Sequence, residues 1–164
     1  MDNVSFKPSE EFLELAEEIF QQEKLRILEL IPSAVIEHIG STAIPGSITK
    51  GDLDINVRVT KEIFDEAVEK LKTLYQINQP ENWNDNFASF KDDNNFNLPI
   101  GVQLTIIDSE YDDFVSLRDL LISNQNLLEE YNQMKRKYEG RSMDDYRKEK
   151  SEFFEKLRSL RKHD

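Results

Sequence analysis

The chain contains no cysteine and only two histidines, His38 and His163, among its 164 residues. The absence of cysteine excludes a disulfide framework, a thiolate metal site and a cysteine nucleophile, and two histidines are too few for a multi-histidine metal centre. No apolar run approaches the roughly 20 residues that a transmembrane helix needs. The polar, acidic N-terminal segment is also unlike a signal or transit peptide. We therefore expect a cytoplasmic protein without membrane association, folded as a single domain over residues 1–164.

Charge is distributed unevenly along the chain. Residues 1–110 contain 9 Lys and Arg against 21 Asp and Glu, so they carry the whole net charge of −12. Residues 111–164 contain 12 of each, and within them residues 134–162 hold 11 basic and 6 acidic side chains. An acidic body argues against general nucleic-acid binding, which needs a basic face over most of a domain. The basic segment permits a local anion site, although a solvated helix face is the simpler explanation of the charge run taken alone.

Hydrophobic periodicity predicts strands in the middle of the chain and helices around them. Residues 52–59 alternate between apolar and polar side chains, which is typical of a strand with one buried face. The remaining expected elements are helices near 12–31, 60–71 and throughout the region after residue 108, and strands at 34–39, 73–79, 87–90 and 101–107. This order predicts an α+β domain, in which a mixed sheet is flanked by helices and followed by a helical C-terminal part.

The pattern with the clearest chemical meaning is Gly40-Ser41 followed, after ten residues, by Asp52-Leu53-Asp54. Carboxylates at positions i and i+2 of a strand point to the same face, and their mutual repulsion is relieved by a hard divalent cation such as Mg²⁺ or Mn²⁺. A Gly-Ser turn offers backbone N–H groups and a hydroxyl to a terminal phosphate. These parts suit phosphoryl or nucleotidyl transfer, although acids that alternate along a strand are also common where one face simply meets water.

The spacing resembles the signature of the nucleotidyltransferase superfamily, and the segment EHIGSTAIPG at residues 37–46 resembles the hallmark of the GrpB family within that fold. The resemblance continues through Lys50, Asp54 and Ile55, and then through three weaker helical pieces between residues 114 and 153. Those pieces are Phe114-x-x-Leu117-Arg118-Asp119-x-Leu121, Leu128-x-x-Tyr131-x-x-x-Lys135 and Tyr146-x-x-x-Lys150-x-x-Phe153. The resemblance implies a nucleotidyltransferase-like fold and a nucleotide-handling ancestry. It names no substrate, because the family is poorly characterised.

On this resemblance Asp52 and Asp54 are the expected metal ligands and catalytic residues, and Gly40, Ser41 and Lys50 are the expected phosphate contacts. Lys50 could equally serve to balance Asp52. Active members of the superfamily carry a third carboxylate on a neighbouring strand, where this chain has Gln103 and Thr105. GrpB proteins often have His in that region, which is absent here too. Many GrpB relatives have an apolar residue at the position of Asp52, so the presence of both aspartates favours a metal site.

Five further side chains complete the set of candidate substrate contacts: Arg58, Gln103, Arg118, Lys135 and Lys150. Arg58, Arg118 and the two lysines each have a simpler structural alternative. Arg58 shares the strand face of the aspartates and could hold them ionised. Arg118 could pair with Asp119, and the two lysines could be solvated. We expect His38 to be structural.

The resulting hypothesis is a Mg²⁺-dependent enzyme that transfers a nucleoside monophosphate from an NTP to a small acceptor. The alternative is a protein that binds a nucleotide or phosphate ligand and has lost turnover. A third reading, an interaction module built on the C-terminal helices, has no positive support in the sequence. The acceptor, the NTP and the oligomeric state stay open.

Overall fold

A computed structural model describes residues 3–161 of the chain as strands and helices joined by short turns. The strands are β1 (Lys7–Pro8), β2 (Val35–Ile39), β3 (Ile48–Thr49), β4 (Leu53–Val59), β5 (Gln76–Ile77), β6 (Phe87–Asp92) and β7 (Ile100–Ile106). The helices are α1 (Leu13–Leu30), α2 (Phe64–Lys72), α3 (Phe114–Ser123), α4 (Gln125–Lys137) and α5 (Met143–Arg161). Among the residues described, no helix is long and apolar enough to cross a membrane.

Five strands form one mixed sheet in the order β2-β4-β7-β6-β5. The central pair, β4 and β7, is parallel, whereas β2, β6 and β5 are each antiparallel to the strand beside them. The register places Asp54 opposite Gly101 and opposite Ile39 on the other side, so the end of β2 and the start of β7 flank this aspartate. A small separate sheet joins β1 to β3.

One face of the sheet is covered by α1 and α2 and forms the main core. The apolar residues of β4 that alternate with its polar ones, Leu53, Ile55, Val57 and Val59, are all fully buried there. Their counterparts on β7 belong to the same cluster. Helix α1 ends at Leu30, two residues before Pro32, because proline cannot continue a helix.

The opposite face of the same strands is polar and meets the C-terminal helices. Helices α3, α4 and α5 share a second apolar cluster, which includes Ile44 from the loop after β2. This packing brings the end of the chain against the loop that carries Gly40 and Ser41. The observed architecture, a mixed sheet with helices and a helical C-terminal part, confirms the predicted α+β fold class.

Candidate functional site

The carboxylate of Asp54 lies in a gap that two glycines leave open. Gly40 has a φ of +77°, and a Cβ added to it would lie 2.5 Å from Asp54 Oδ2. A Cβ on Gly101 of the neighbouring strand would lie 2.8 Å from Asp54 Oδ1. Both distances are shorter than real Cβ contacts, so any larger residue at either position would displace the carboxylate. The two glycines therefore shape the position of Asp54.

The negative charges of Asp54 and Asp52 are only partly balanced by nearby cations. Burial, together with the nearby charge of Asp52, raises the pKa of Asp54 to about 6, while Lys150 and Lys50 act in the opposite direction. Asp52 is more open to solvent, with 36% of its side chain exposed, and its Oδ2 lies 3.4 Å from Lys50 Nζ. Lys50 therefore balances Asp52 in this structure, as one of its two sequence interpretations stated.

The residues around Asp54 suit a hard divalent cation. The side-chain oxygen Oε1 of Gln103 is buried without a hydrogen-bond partner, and its amide nitrogen and Asp54 Oδ1 both lie close to the same point beside Gly101. The two neighbouring carboxylates are oxygen ligands that Mg²⁺ and Mn²⁺ accept, whereas the atom of Gln103 nearest this point is its amide nitrogen. Within residues 3–161, no group of three or more His, Cys, Asp or Glu side chains offers a richer metal site.

The loop between β2 and β3 is held beside the aspartates by a chain of hydrogen bonds. Thr42 Oγ1 donates to the backbone oxygen of Asp52 over 3.1 Å and lies 2.9 Å from His38 Nε2. His38 stacks on Phe20, with ring centroids 5.3 Å apart, and burial lowers the pKa of its imidazole. In these contacts His38 supports the loop, consistent with the structural role expected for it.

A cavity of about 510 Å³ opens beside Asp54, between the polar face of the sheet and helices α3 and α5. Its lining residues are Ile39, Gly40, Ser41, Ile44, Asp54, Gln79, Gln103, Phe114, Leu117, Arg118, Leu121, Tyr131, Arg147, Lys150, Ser151, Phe154 and Arg158. Gly40, Ser41, Gln103, Arg118 and Lys150, all predicted from the sequence, thus meet Asp54 around one space.

The cavity is rich in cations although the chain carries a net charge of −12. Four of its described lining side chains are basic and one, Asp54, is acidic. Two of the basic groups have firm partners: Arg118 donates to Glu37 and to the backbone oxygen of His38, and Arg158 donates to Asp113. This local reversal of charge favours an anionic ligand.

Lys150 and Arg147 are the two basic lining residues that have no close carboxylate partner among the described residues. Among the described residues, no carboxylate lies within ion-pair distance of Lys150, and the ion pair of Arg147 with Asp144 is long, at 3.9 Å, and exposed. The acidic hydroxyl of Tyr131, and after it Tyr146 and the two aspartates, raise the pKa of Lys150, so this lysine is charged at neutral pH. Arg147 can therefore turn to a ligand at little cost, whereas Lys150 already interacts with Tyr131, Tyr146 and the two aspartates and is charged beside the cavity.

Arg58 lies outside the cavity, and the expectation that it keeps the aspartate pair ionised is wrong. Its guanidinium donates two hydrogen bonds of 2.8 Å to the carboxylate of Asp112. Against the effect of burial, these hydrogen bonds hold the pKa of Asp112 below its usual value. Although Arg58 shares the strand face of Asp54, its long side chain reaches the loop after β7 instead.

Lys135 and Thr105 are also not among the residues that line the cavity. Lys135 is completely buried, and its ammonium lies beneath Ser41. Thr105 is buried as well and receives a hydrogen bond from Asn56. A direct contact between Lys135 and a substrate is therefore absent from this arrangement.

Sequence reasoning missed most of the wall that α5 contributes. Arg147, Lys150, Ser151, Phe154 and Arg158 lie on one helical face because their spacing follows the helical period, and only Lys150 had been singled out. The same spacing was a usable signal once Lys150 was suspected. No local sequence pattern predicts that Gly101 makes room for Asp54 or that Gln79 lines the cavity, because both depend on contacts across the fold. Gln79 has a left-handed φ of +46°.

The sheet topology and the placement of the acidic pair define a nucleotidyltransferase-like fold. A solved structure of the Cid1 poly(U) polymerase with MgGTP bound superposes with a TM-score of 0.55 at 15% identity, covering 79% of this chain and 42% of that chain. A second Cid1 structure, described as a terminal uridylyl transferase, gives a TM-score of 0.52 at 16% identity over 79% of this chain and 39% of its own. At this identity the likeness is one of fold.

The chain belongs to the GrpB family. The family model described as GrpB protein matches residues 11–159. A UPF0157 protein from Vibrio cholerae serotype O1 is 34% identical over 162 residues, covering 95% of this chain and 82% of the relative, and a UPF0157 protein from Halalkalibacterium halodurans is 28% identical over 148 residues, covering 85% and 74%. The crystal structure of GrpB from Enterococcus faecalis superposes with a TM-score of 0.69 at 20% identity, over 88% of this chain and 94% of that one.

Proposed function

We propose that this protein binds a nucleoside triphosphate together with a divalent cation in the cavity, and that it transfers the nucleoside monophosphate to a small acceptor. The observation that carries the proposal is the position of Asp54, which lines the cavity together with Gly40, Ser41 and four basic side chains. Asp52 does not line the cavity but lies close enough to raise the pKa of Asp54. A metal-bound polyphosphate requires carboxylates for its cation and basic side chains for its phosphate groups. This otherwise acidic protein offers both in and beside one cavity.

Each part of the cavity then has a task. Asp52 and Asp54 would hold Mg²⁺ or Mn²⁺, which would neutralise charge on the transferred phosphoryl group. Gln103 lies beside Asp54 at the edge of this site. Ser41 and the backbone of the Gly40 turn bind phosphate oxygens, while Lys150 and Arg147 attract the polyphosphate. The apolar lining on α3 and α5 shields the ligand from water.

Gln103 favours a second candidate, in which the nucleotide is bound without being turned over. An amide accepts no proton at neutral pH, so Gln103 cannot deprotonate an acceptor hydroxyl as a carboxylate would. On the first candidate function transfer is therefore slow or highly specific for one acceptor, and on the second it is absent. The retention of Asp52 beside Asp54 favours transfer.

Calorimetric titration with ATP, CTP, GTP and UTP, with and without Mg²⁺, tests the proposed ligand. We expect Mg²⁺-dependent binding, and we expect Lys150→Met to weaken it about tenfold, because a charge-assisted contact is lost. Lys148→Met is the matched control, since Lys148 is exposed on the same helix and does not line the cavity. If no nucleotide binds to the wild-type protein, the proposal is wrong.

Gln103→Asp should restore the missing carboxylate and tighten Mn²⁺ binding at least tenfold, measured by calorimetry. The physical reason is that a charged oxygen ligand replaces an amide whose nitrogen lies on the side of Asp54. Gln22→Asp adds the same charge on the exposed surface of α1 and should leave Mn²⁺ affinity unchanged. Unaltered affinity in Gln103→Asp would show that this side chain does not face the metal.

A further inference from the structure

The buried lysine of α4 lies directly behind the phosphate-binding turn. Lys135 has 0% of its surface exposed, and its Nζ donates to Ser41 Oγ over 2.8 Å and to the backbone oxygen of Ile48. The same Nζ lies 3.8 Å from the centroid of the Tyr131 ring, where a cation meets the negative face of the aromatic system. Three partners thus surround the ammonium group, and all of them are neutral.

A buried cation without an anionic partner is unfavourable. Among the described residues, no carboxylate lies within ion-pair distance of Lys135, and burial lowers its pKa to about 8, with Lys150 and Lys50 acting in the same direction and Tyr131 opposing them. An apolar side chain would fill this position without the desolvation penalty of the charge. Lys135 therefore places an uncompensated positive charge directly behind Ser41, which lines the cavity.

Ser41 connects this charge to the cavity. Ser41 lines the cavity, whereas Lys135 does not. Because Ser41 Oγ accepts a hydrogen bond from Lys135, its own proton points away from the ammonium group. The acceptor that the structure shows is the hydroxyl of Tyr131, and an anionic oxygen of a bound ligand would be the alternative acceptor.

We propose that Lys135 is a positioning residue that orients and polarises the Ser41 hydroxyl, so that the pair recognises a tetrahedral oxyanion such as a phosphate group of the nucleotide. This inference rests on the proposed function, because it assigns the terminal phosphate to Ser41. Binding of the anion would compensate the buried charge through the hydroxyl between them. The affinity gained in this way is lost when either Ser41 or Lys135 is removed.

The position of the loop does not depend on Lys135 alone. Asn132, one turn earlier on α4, accepts a hydrogen bond of 3.1 Å from the N–H of Ile48 and donates one of 2.9 Å to the oxygen of Gly46. Ser47 Oγ donates to the backbone oxygen of Ser41 over 2.7 Å. Removal of the Lys135 charge therefore leaves the loop anchored, which makes its effect on anion binding measurable.

Sulfate is the probe for this experiment, because it is a tetrahedral anion whose own charge is constant across the pH range of interest. The charged and titratable groups that face Lys135 are Tyr131 on α4, Lys150 on α5 and Lys50 before β4. Against the effect of burial, Lys150 and Lys135 lower the pKa of Tyr131 to about 8, so all measurements use a Tyr131→Phe background. That substitution keeps the ring over Lys135 and removes the competing titration.

In this background the pKa of Lys135 lies below about 8, because the Tyr131 hydroxyl that raises it is absent. We therefore expect sulfate affinity, measured by calorimetry, to fall about tenfold between roughly pH 6 and pH 9 as Lys135 loses its proton. Adding Lys135→Met should weaken binding about tenfold at neutral pH and make it independent of pH. Ser41→Ala should do the same, and the double variant should be no weaker than either single one. Lys137→Met, which removes an exposed lysine of the same helix, should behave as the background does.

The outcomes separate this inference from the proposed function. Failure of nucleotide to bind the wild-type protein overturns the proposed function and this inference with it. Failure of sulfate alone to bind the Tyr131→Phe protein overturns only the inference. Sulfate binding that Lys135→Met leaves unchanged in strength and in pH profile overturns only the inference. If Lys135→Met does not fold, Ser41→Ala decides the matter, since a pH profile that survives loss of the hydroxyl contradicts the proposal.

Discussion

Gly40→Ala should destabilise the protein by about 3 kcal/mol or more, because two independent penalties coincide at this residue. With a φ of +77° and a ψ of −174°, Gly40 occupies a backbone region that is essentially reserved for glycine. An added Cβ would also lie 2.5 Å from the carboxylate of Asp54. Urea unfolding measures the loss of stability, and the same variant should lose its response to Mg²⁺ as Asp54 is displaced.

Substitutions at two other glycines measure the backbone strain and the collision with Asp54 one at a time. Gly140 has a φ of +74° but no atom within 4 Å of an added Cβ, so Gly140→Ala tests backbone strain alone and should cost about 1 kcal/mol. Gly101 has an ordinary φ, and its added Cβ would meet Asp54 at 2.8 Å, so Gly101→Ala tests the collision. Equal losses in Gly40→Ala and Gly140→Ala would show that the gap around Asp54 is not needed.

Asp54→Asn should abolish stabilisation of the protein by Mg²⁺ or Mn²⁺. A cation present at ten times its dissociation constant stabilises the native state by about 1.4 kcal/mol, which corresponds to a few degrees in Tm for a chain of this size. Removal of one of two neighbouring carboxylates removes the charge that attracts the cation. Thermal unfolding with and without about 10 mM of the metal chloride measures the effect.

The same variant should be more stable than the wild-type protein when no metal is present, and the difference should depend on pH. The pKa of Asp54 is raised to about 6 in the folded state, so the native protein binds this proton more tightly than the unfolded chain does. The wild-type protein therefore recovers stability as the pH falls through about 6 towards 4. The advantage of Asp54→Asn, about 1–2 kcal/mol above pH 6, disappears over that range.

Asp85→Asn, which neutralises an exposed aspartate in the loop before β6, is the control for both measurements. It should retain the response to Mg²⁺ and show no comparable change with pH. A full Mg²⁺ response in Asp54→Asn would rule out the proposed metal site. A pH-independent difference between Asp54→Asn and the wild-type protein would contradict the raised pKa.

Local pattern was enough to predict the strand that carries the aspartates. Alternation from residue 52 to 59 requires only that one face of a strand be dry, and the four apolar residues are indeed fully buried. The spacing from Gly40-Ser41 to Asp54 also predicted that they lie close together. Two antiparallel strands joined by a short connection bring the end of β2 beside the start of β4. Both inferences involve neighbours along the chain.

The destinations of long side chains were harder to predict, because they depend on partners far away in sequence. Nothing local indicates that Arg58 turns to Asp112 while Asp54, on the same face, meets Gly101. For Lys135 a signal did exist. It follows Tyr131 at i+4, and so lies on the buried stripe of α4, but a lysine there is ordinarily assigned to solvent.

The hydrogen bonds between α4 and the loop after β2 have a consequence for the order in which the protein folds. Asn132 and Lys135 grip residues 41–48 across sequence separations of 84–94 residues. During synthesis, the sheet can therefore collapse on α1 and α2 while the Gly40-Ser41 turn still lacks its support from α4. Ligand recognition would then appear late, as a separate event in which the basic C-terminal helices dock onto an acidic folded body.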